Sequence, residues 1–354
     1  MSAAERIAAR RLARRRRIRR RRMLAGGSFL AMVALGVTVL VVMGGGSGSQ
    51  GAAVRDHARH GTARAAPLPA GFVVRRLGAE LSSPLQDAAA VALPDGALAL
   101  LGGLDGSDTS TSGVLILAGE HVSVRARLPL PQHDAQGTLL GSEAFVFGGG
   151  QVSSYDHVLR FDPVAGVVSQ AGTLPRATSD AAVASVGGTA YVVGGYDGAQ
   201  ALDTIVAWRP GAPARTVARL PLSLRYAAVA AVAGELVIAG GTHGEAAQRE
   251  ILRFDPASGR VVAIGRLPGV LTHAAAVALD GSMYVLGGRG SGPDSQTGEV
   301  LAIAPASGRV TPVGRLPMAL SDAAAGVIGG RVVLAGGRSA SGTVTSIYSL
   351  TPLA

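Results

Sequence analysis

The stretch LPRATSDAAVASVGGTAYVVGG, residues 174–195, opens on Leu174-Pro175 and closes on the doublet Gly194-Gly195. Between them two short apolar runs flank Gly187-Gly188, a strand–turn–strand pattern. The closing doublet recurs at Gly102-Gly103, Gly148-Gly149, Gly240-Gly241, Gly287-Gly288 and Gly336-Gly337, so the copies stand 46, 46, 46, 47 and 49 residues apart. A period of that size marks one supersecondary unit copied in tandem, and it decides the architecture before any local reading does. The proline of a Leu-Pro pair stands 19 residues ahead of five doublets, at Pro129, Pro175, Pro221, Pro268 and Pro317. The first unit has Leu81-Ser82 there, shifted by one residue for its Leu93-Pro94-Asp95-Gly96 turn.

Each unit reads as four short strands. In the third unit they fall at Ala181–Val186, Ala190–Val193, Ile205–Trp208 and Arg215–Leu220. Phe161-Asp162-Pro163 and Phe254-Asp255-Pro256 place Asp before Pro, as the first two positions of a type I turn prefer. Runs that are apolar on both faces suit sheets packed between sheets. The expected fold is all-β, a six-bladed β-propeller of four-stranded blades over residues 71–354, closed radially so that few strand edges remain free. The second strand is expected near the axis, where the glycine doublet would relieve crowding. The last unit has strands near Asp322–Ile328, Arg331–Ala335 and Val344–Leu350 but no fourth before the chain ends at Ala354. Phe72–Leu77 is expected to supply it.

The motifs resemble the kelch-repeat β-propeller family over roughly residues 72–350. They are the doublet, the aromatic three residues before it (Phe145, Tyr191, Tyr284), the aromatic-Asp-Pro turn and the Leu-Pro boundary. The family usually carries a tryptophan in the fourth strand. Here the sole tryptophan, Trp208, takes the aromatic slot of the turn instead. The loops between second and third strands vary, at 104–113, 151–157, 196–203, 242–250, 289–299 and 338–346, and loops carried by a rigid scaffold are where binding usually resides. Kelch-type oxidases build a copper site on a cysteine-modified tyrosine, and a chain with no Cys excludes that chemistry.

The formal net charge of +10 is not spread along the chain. Eleven of the 33 arginines lie within residues 6–22 against Glu5 alone, and residues 23–354 are formally neutral. All the basic residues are Arg, so the choice of Arg over Lys carries no information at any one site. Residues 1–22 read as an Arg-rich cytoplasmic tail and Met23–Met43, MLAGGSFLAMVALGVTVLVVM, as a transmembrane helix. About 20 apolar residues span the hydrocarbon layer, and flanking positive charge holds its end on the cytoplasmic side. A cleaved signal peptide normally has a shorter core and a nearby Ala-x-Ala, whereas Ala63-Arg64-Ala65 stands some twenty residues too far on. Arg20-Arg21-Arg22 also resembles a twin-arginine export signal, a match that an Arg run makes cheap. Residues 44–70 read as a flexible linker, and His57 and His60 within it as solvated side chains rather than a metal clip. The expected location is the cell membrane, with the propeller extracytoplasmic. Lipid around the N-terminal helix and a protein or glycan on the loop face are the expected partners, and nucleic acid is not.

Five residues beyond each Leu-Pro slot stand Asp87, Asp134, Asp180, Tyr226, His273 and Asp322. Each begins the innermost strand, so together they are expected to ring one mouth of the channel. Such a set can hold a hydrated cation or a polar ligand, or its side chains can cap backbone N–H groups of the adjoining loops. Arg225 and His133 would add charge to the same rim. Gly-x-Ser-x-Gly, His-Glu-x-x-His and a lysine-bearing phosphate loop are all missing. No catalytic residue, metal ligand or cofactor is assigned. A carbohydrate-processing enzyme, hydrolase or isomerase, with its site in the Asp-rich mouth is the alternative.

Overall fold

A computed structural model describes residues 71–353, and in them every regular element is a β-strand. The tail, the apolar stretch Met23–Met43 and the linker lie outside the described residues. Among the described residues no helix is long and apolar enough to cross a membrane.

The third unit shows the plan. Ala182–Val186, Thr189–Val193, Thr204–Trp208 and Arg215–Arg219 form an antiparallel four-stranded sheet in chain order. The next two units repeat it, beginning at Ala228–Val232 and Ala275–Leu279. The first two units fuse into one seven-stranded sheet, because the 20-residue strand His121–Leu140 pairs with Thr111–Ala118 on one side and Glu143–Gly150 on the other. Leu128-Pro129 was expected to interrupt the chain there. Instead it continues as extended backbone, which the fixed φ of proline permits, and the register shifts between Thr111 and Gly113 accommodate it.

The last sheet runs Ala324–Ile328, Arg331–Ala335, Ser346–Pro352 and then Phe72–Glu80. Phe72 pairs with Pro352 and Val74 with Leu350, so the first described strand completes the last sheet and extends three residues beyond Leu77. The core lies between sheets rather than in one mass. Leu98, Leu100, Val333 and Ile347 share one apolar cluster, which joins the last unit to the first. Tyr191 meets Phe254 of the following sheet at 5.5 Å between ring centroids, and Phe72 meets Tyr284 edge-on at 5.2 Å. Trp208 is buried against Phe145 and Phe147 of the preceding sheet.

The innermost strand is the first of each unit, not the second. Alanine-rich first strands line an axial cavity of about 140 Å³ with Ala90, Ala182, Ala228 and Ala324. The doublets act elsewhere, at the end of the second strand. The N–H of Gly195 donates to the carbonyl of Leu224 in the next unit at 2.8 Å, and that of Gly337 donates to Leu85 across the closure at 2.8 Å. A Cβ on Gly194 would overlap the same Leu224 oxygen, and φ there is +63°. Glycine is therefore needed for a backbone seam between units.

Candidate functional site

The six repeated positions come together as one closed circle of main chain. Asp134 N–H donates to Asp87 C=O, Asp180 to Asp134, Tyr226 to Asp180, His273 to Tyr226, Asp322 to His273, and Asp87 back to Asp322, at 2.8–3.2 Å. All six residues hold the left-handed conformation, with φ between 52° and 60°. Asp tolerates that region comparatively well, but Tyr226 and His273 are less common there, a sign that the surroundings impose it. The capping expectation is corrected here. Among the described residues none of these six side chains accepts a hydrogen bond from a backbone N–H; their own main chain carries the repeat.

Side chains of the ring border two cavities. Below the ring lies the alanine-lined channel. Above it opens an outer cavity of about 320 Å³, whose walls include Gln86, Asp108, His133, Arg289 and Arg338. Asp87, Asp134, Tyr226, His273 and Asp322 border both spaces, while Asp180 borders only the channel.

Electrostatics divide the ring. Asp180 is 4% exposed and accepts from Arg225 Nε at 2.6 Å, with Nη2 on the same oxygen. The Arg225 guanidinium lies 4.5 Å from the Tyr196 ring centroid and 5.1 Å from that of Tyr226. Burial works against its charge, yet Asp180 and Tyr226 outweigh it and its pKa rises. Tyr226 stacks on His273 at 3.7 Å. Burial, then the Asp134 and Asp180 charges, hold its phenol well above the usual range. His273 Nε2 accepts from Arg289 Nη2 at 3.0 Å, which makes Nδ1 the donor toward Thr272 Oγ1 at 2.9 Å. Burial and the nearby Arg289 and Arg225 charges push its pKa down to about 2, so the imidazole is neutral.

Asp87 and Asp134 are the reverse case. Burial first, and then neighbouring carboxylates, raise both carboxyls well above the ordinary range. Asp322 is also raised by burial, against the opposing pull of its Ser321 hydrogen bond at 2.6 Å and of Asp87, Arg289 and Arg338. Among the described residues no group of three or more His, Asp or Glu is arranged to hold a metal ion.

Arg289, Arg338, Gln86 and Asp108 were not anticipated. A sequence signal for three of them exists in the repeat. The residue after each doublet pairs with the residue before each ring position, as in Thr272 with Arg289, Ser321 with Arg338, and Leu104 with Gln86. Reading those two columns alongside the ring column finds the mouth's walls. Asp108 sits on a variable loop at φ +56° and has no repeat partner.

A family model described as the kelch motif matches residues 177–211, most of the third unit. No curated protein matches the chain. Among solved structures, one titled "Structure of YjhT" aligns with a TM-score of 0.66 and 14% identity, covering 77% of this chain and 96% of that one. Identity that low speaks to fold alone. Together these findings support a kelch-repeat reading and describe an all-β, kelch-like propeller.

Proposed function

We propose that this chain is a membrane-tethered, extracytoplasmic, six-bladed kelch-type propeller that binds a glycan at the ringed mouth. The count of six treats the seven-stranded sheet as two blades sharing His121–Leu140, in line with the six-membered main-chain circle. The tether rests on the sequence alone, on Met23–Met43 and its arginine-rich flank.

One observation carries the binding reading. The outer cavity is concave, about 320 Å³, and walled by hydrogen-bond donors and acceptors, Gln86, Asp108, His133, Arg289 and Arg338 among them. Arg338 approaches Asp108 at 3.7 Å, and Arg289 donates to the neutral His273 at 3.0 Å. Its volume is at the small end of ligand pockets, suited to one or two sugar units rather than a protein segment. Gln86, one of the cavity's lining residues, has a buried side-chain oxygen with no hydrogen-bond partner among the described residues.

The enzyme reading has one feature in its favour, the Asp87 carboxyl bordering the cavity, which burial and then neighbouring carboxylates raise well above the ordinary carboxylate range. Glycan-array binding by the purified chain tests the proposal, with Arg338→Ala and Asp108→Ala expected to weaken it about tenfold. Binding unchanged in both variants would place any sugar elsewhere, and turnover of a glycoside by the native chain would favour the enzyme.

A further inference from the structure

The third unit carries a second cavity, about 600 Å³ against the 320 Å³ of the mouth. Pairing register explains its floor. Thr204 stands opposite Arg219 and Val206 opposite Thr216, and residues two apart on a strand share a face. All four side chains therefore belong to one face of the sheet, and all four line the cavity. Its walls are the two crossings that deliver Asp180 and Tyr226 to the ring, through Pro175 and Arg176 on one and Pro221 and Leu222 on the other.

This groove begins where the wall of the mouth ends. Arg289 and Arg338 wall the mouth and stand directly after their doublets, and Tyr196 and Thr242 hold the same column in units three and four. The next residues along the chain are Asp197 and His243. Asp197 accepts from Arg176 at 3.1 Å, and both Arg176 and His243 line the groove. At two neighbouring units, then, a single residue of chain leads from the wall column to the groove.

We propose that the mouth and this groove are consecutive parts of one site for an extended oligosaccharide: the mouth takes the terminal one or two units, and the groove takes the units that follow. The inference rests on the glycan reading of the mouth and adds the length of the ligand to it.

The chemistry of the groove suits an uncharged polyol. Each lining guanidinium already has a carboxylate partner, Arg176 with Asp197 and Arg219 with Asp203 at 2.6 Å. What remains is hydroxyl, amide and imidazole, from Thr204, Thr216, Gln200 and His243. His243 Nδ1 lies 3.1 Å from the Ser223 carbonyl oxygen, which only accepts. The neutral ring therefore carries its proton on Nδ1 and leaves Nε2 as an acceptor. Pro175, Pro221 and Leu222, the last 44% exposed, supply apolar surface for the C–H face of a pyranose. At about twice the volume of the mouth, the groove holds about two to four units where the mouth holds one or two.

The test measures the affinity of the full chain in detergent for cello-, malto-, xylo- and chito-oligosaccharides of one to six units. Affinity within a bound series is expected to rise about tenfold from dimer to hexamer, because the second contact is made within one bound molecule. Thr204→Val combined with Thr216→Val removes both hydroxyls and should return the hexamer to the affinity of the dimer, with dimer binding unchanged. Arg338→Ala should weaken every length. A native affinity that levels off at the dimer, or a rise that survives the threonine changes, overturns the groove and leaves the mouth standing. Hexamer binding that responds to the threonines but not to Arg338 overturns the mouth, and the shared site with it. Binding of no series at any length overturns both. Should the threonine pair lower the thermal midpoint, Gln200→Ala on its exposed loop repeats the comparison.

Discussion

Tyr226 and His273 hold a backbone conformation that residues of their size rarely adopt, and the ring explains why. Each must turn its N–H toward one neighbour and its C=O toward the other. The doublet glycines obey a stricter rule, since a Cβ there meets backbone rather than a movable side chain. Gly194→Ala is expected to destabilise the domain by about 2–4 kcal/mol, whereas Gly211→Ala, where a Cβ meets nothing, should cost only about 1 kcal/mol of left-handed strain. Denaturant midpoints of the two variants would check the contrast. His273 provides a second prediction. Its folded pKa lies below the unfolded value of about 6.5, so its contribution to stability is present above that value and fades as pH falls toward 2. His273→Gln should therefore flatten the acid limb of the stability profile, measured as thermal midpoint against pH. Asp87 and Asp134 act oppositely: their raised pKa values favour folding at acid pH and cost stability as pH climbs above about 4. The ring column was legible in the sequence because a repeat preserves spacing. Its conformation was not, because side-chain identity at one position does not report φ, and four aspartates read as caps.

Phe72–Glu80 ties the two ends of the domain into one sheet, a strand arrangement that followed from counting strands in the last unit. Its single aromatic packs edge-on against Tyr284 of the neighbouring sheet. Phe72→Ala should cost about 2 kcal/mol, through lost apolar contact and a loosened closure. Hydrogen exchange is expected to rise first in Ser346–Pro352, its partner strand, and equal exchange across all sheets would show the closure to be unimportant. Trp208 serves the same purpose between two interior sheets, filling the space under Phe145 and Phe147. Trp208→Ala should cost about 3–5 kcal/mol by chemical denaturation. The four-strand plan was readable from turn chemistry and apolar runs. The fusion of two units through His121–Leu140 was not, because Pro129 and Pro131 look like breaks until the partner strands shift register around them. The placing of the doublet's strand at the axis missed that the glycines pack on the carbonyl of the next unit.

At the scale of the whole molecule, charge separates into an arginine-rich start and a formally neutral remainder. If the proposed tether holds, protease added outside intact cells should cut within residues 44–70 and release the propeller as one resistant fragment. Intracellular retention of that fragment would reverse the orientation. The walls of the mouth come from loops and from residues beside the doublets, so the repeat standardises the frame while leaving the cavity's chemistry free to vary. The amide circle has a further physical meaning. In a helix, peptide dipoles point one way and leave partial charges at the ends. Here six N–H and six C=O groups, one of each from every ring residue and so from twelve peptide groups, pair around a closed loop. Unlike a helix, the loop has no unpaired end at which partial charge gathers, so the character of the aperture rests chiefly on the side chains that project from it.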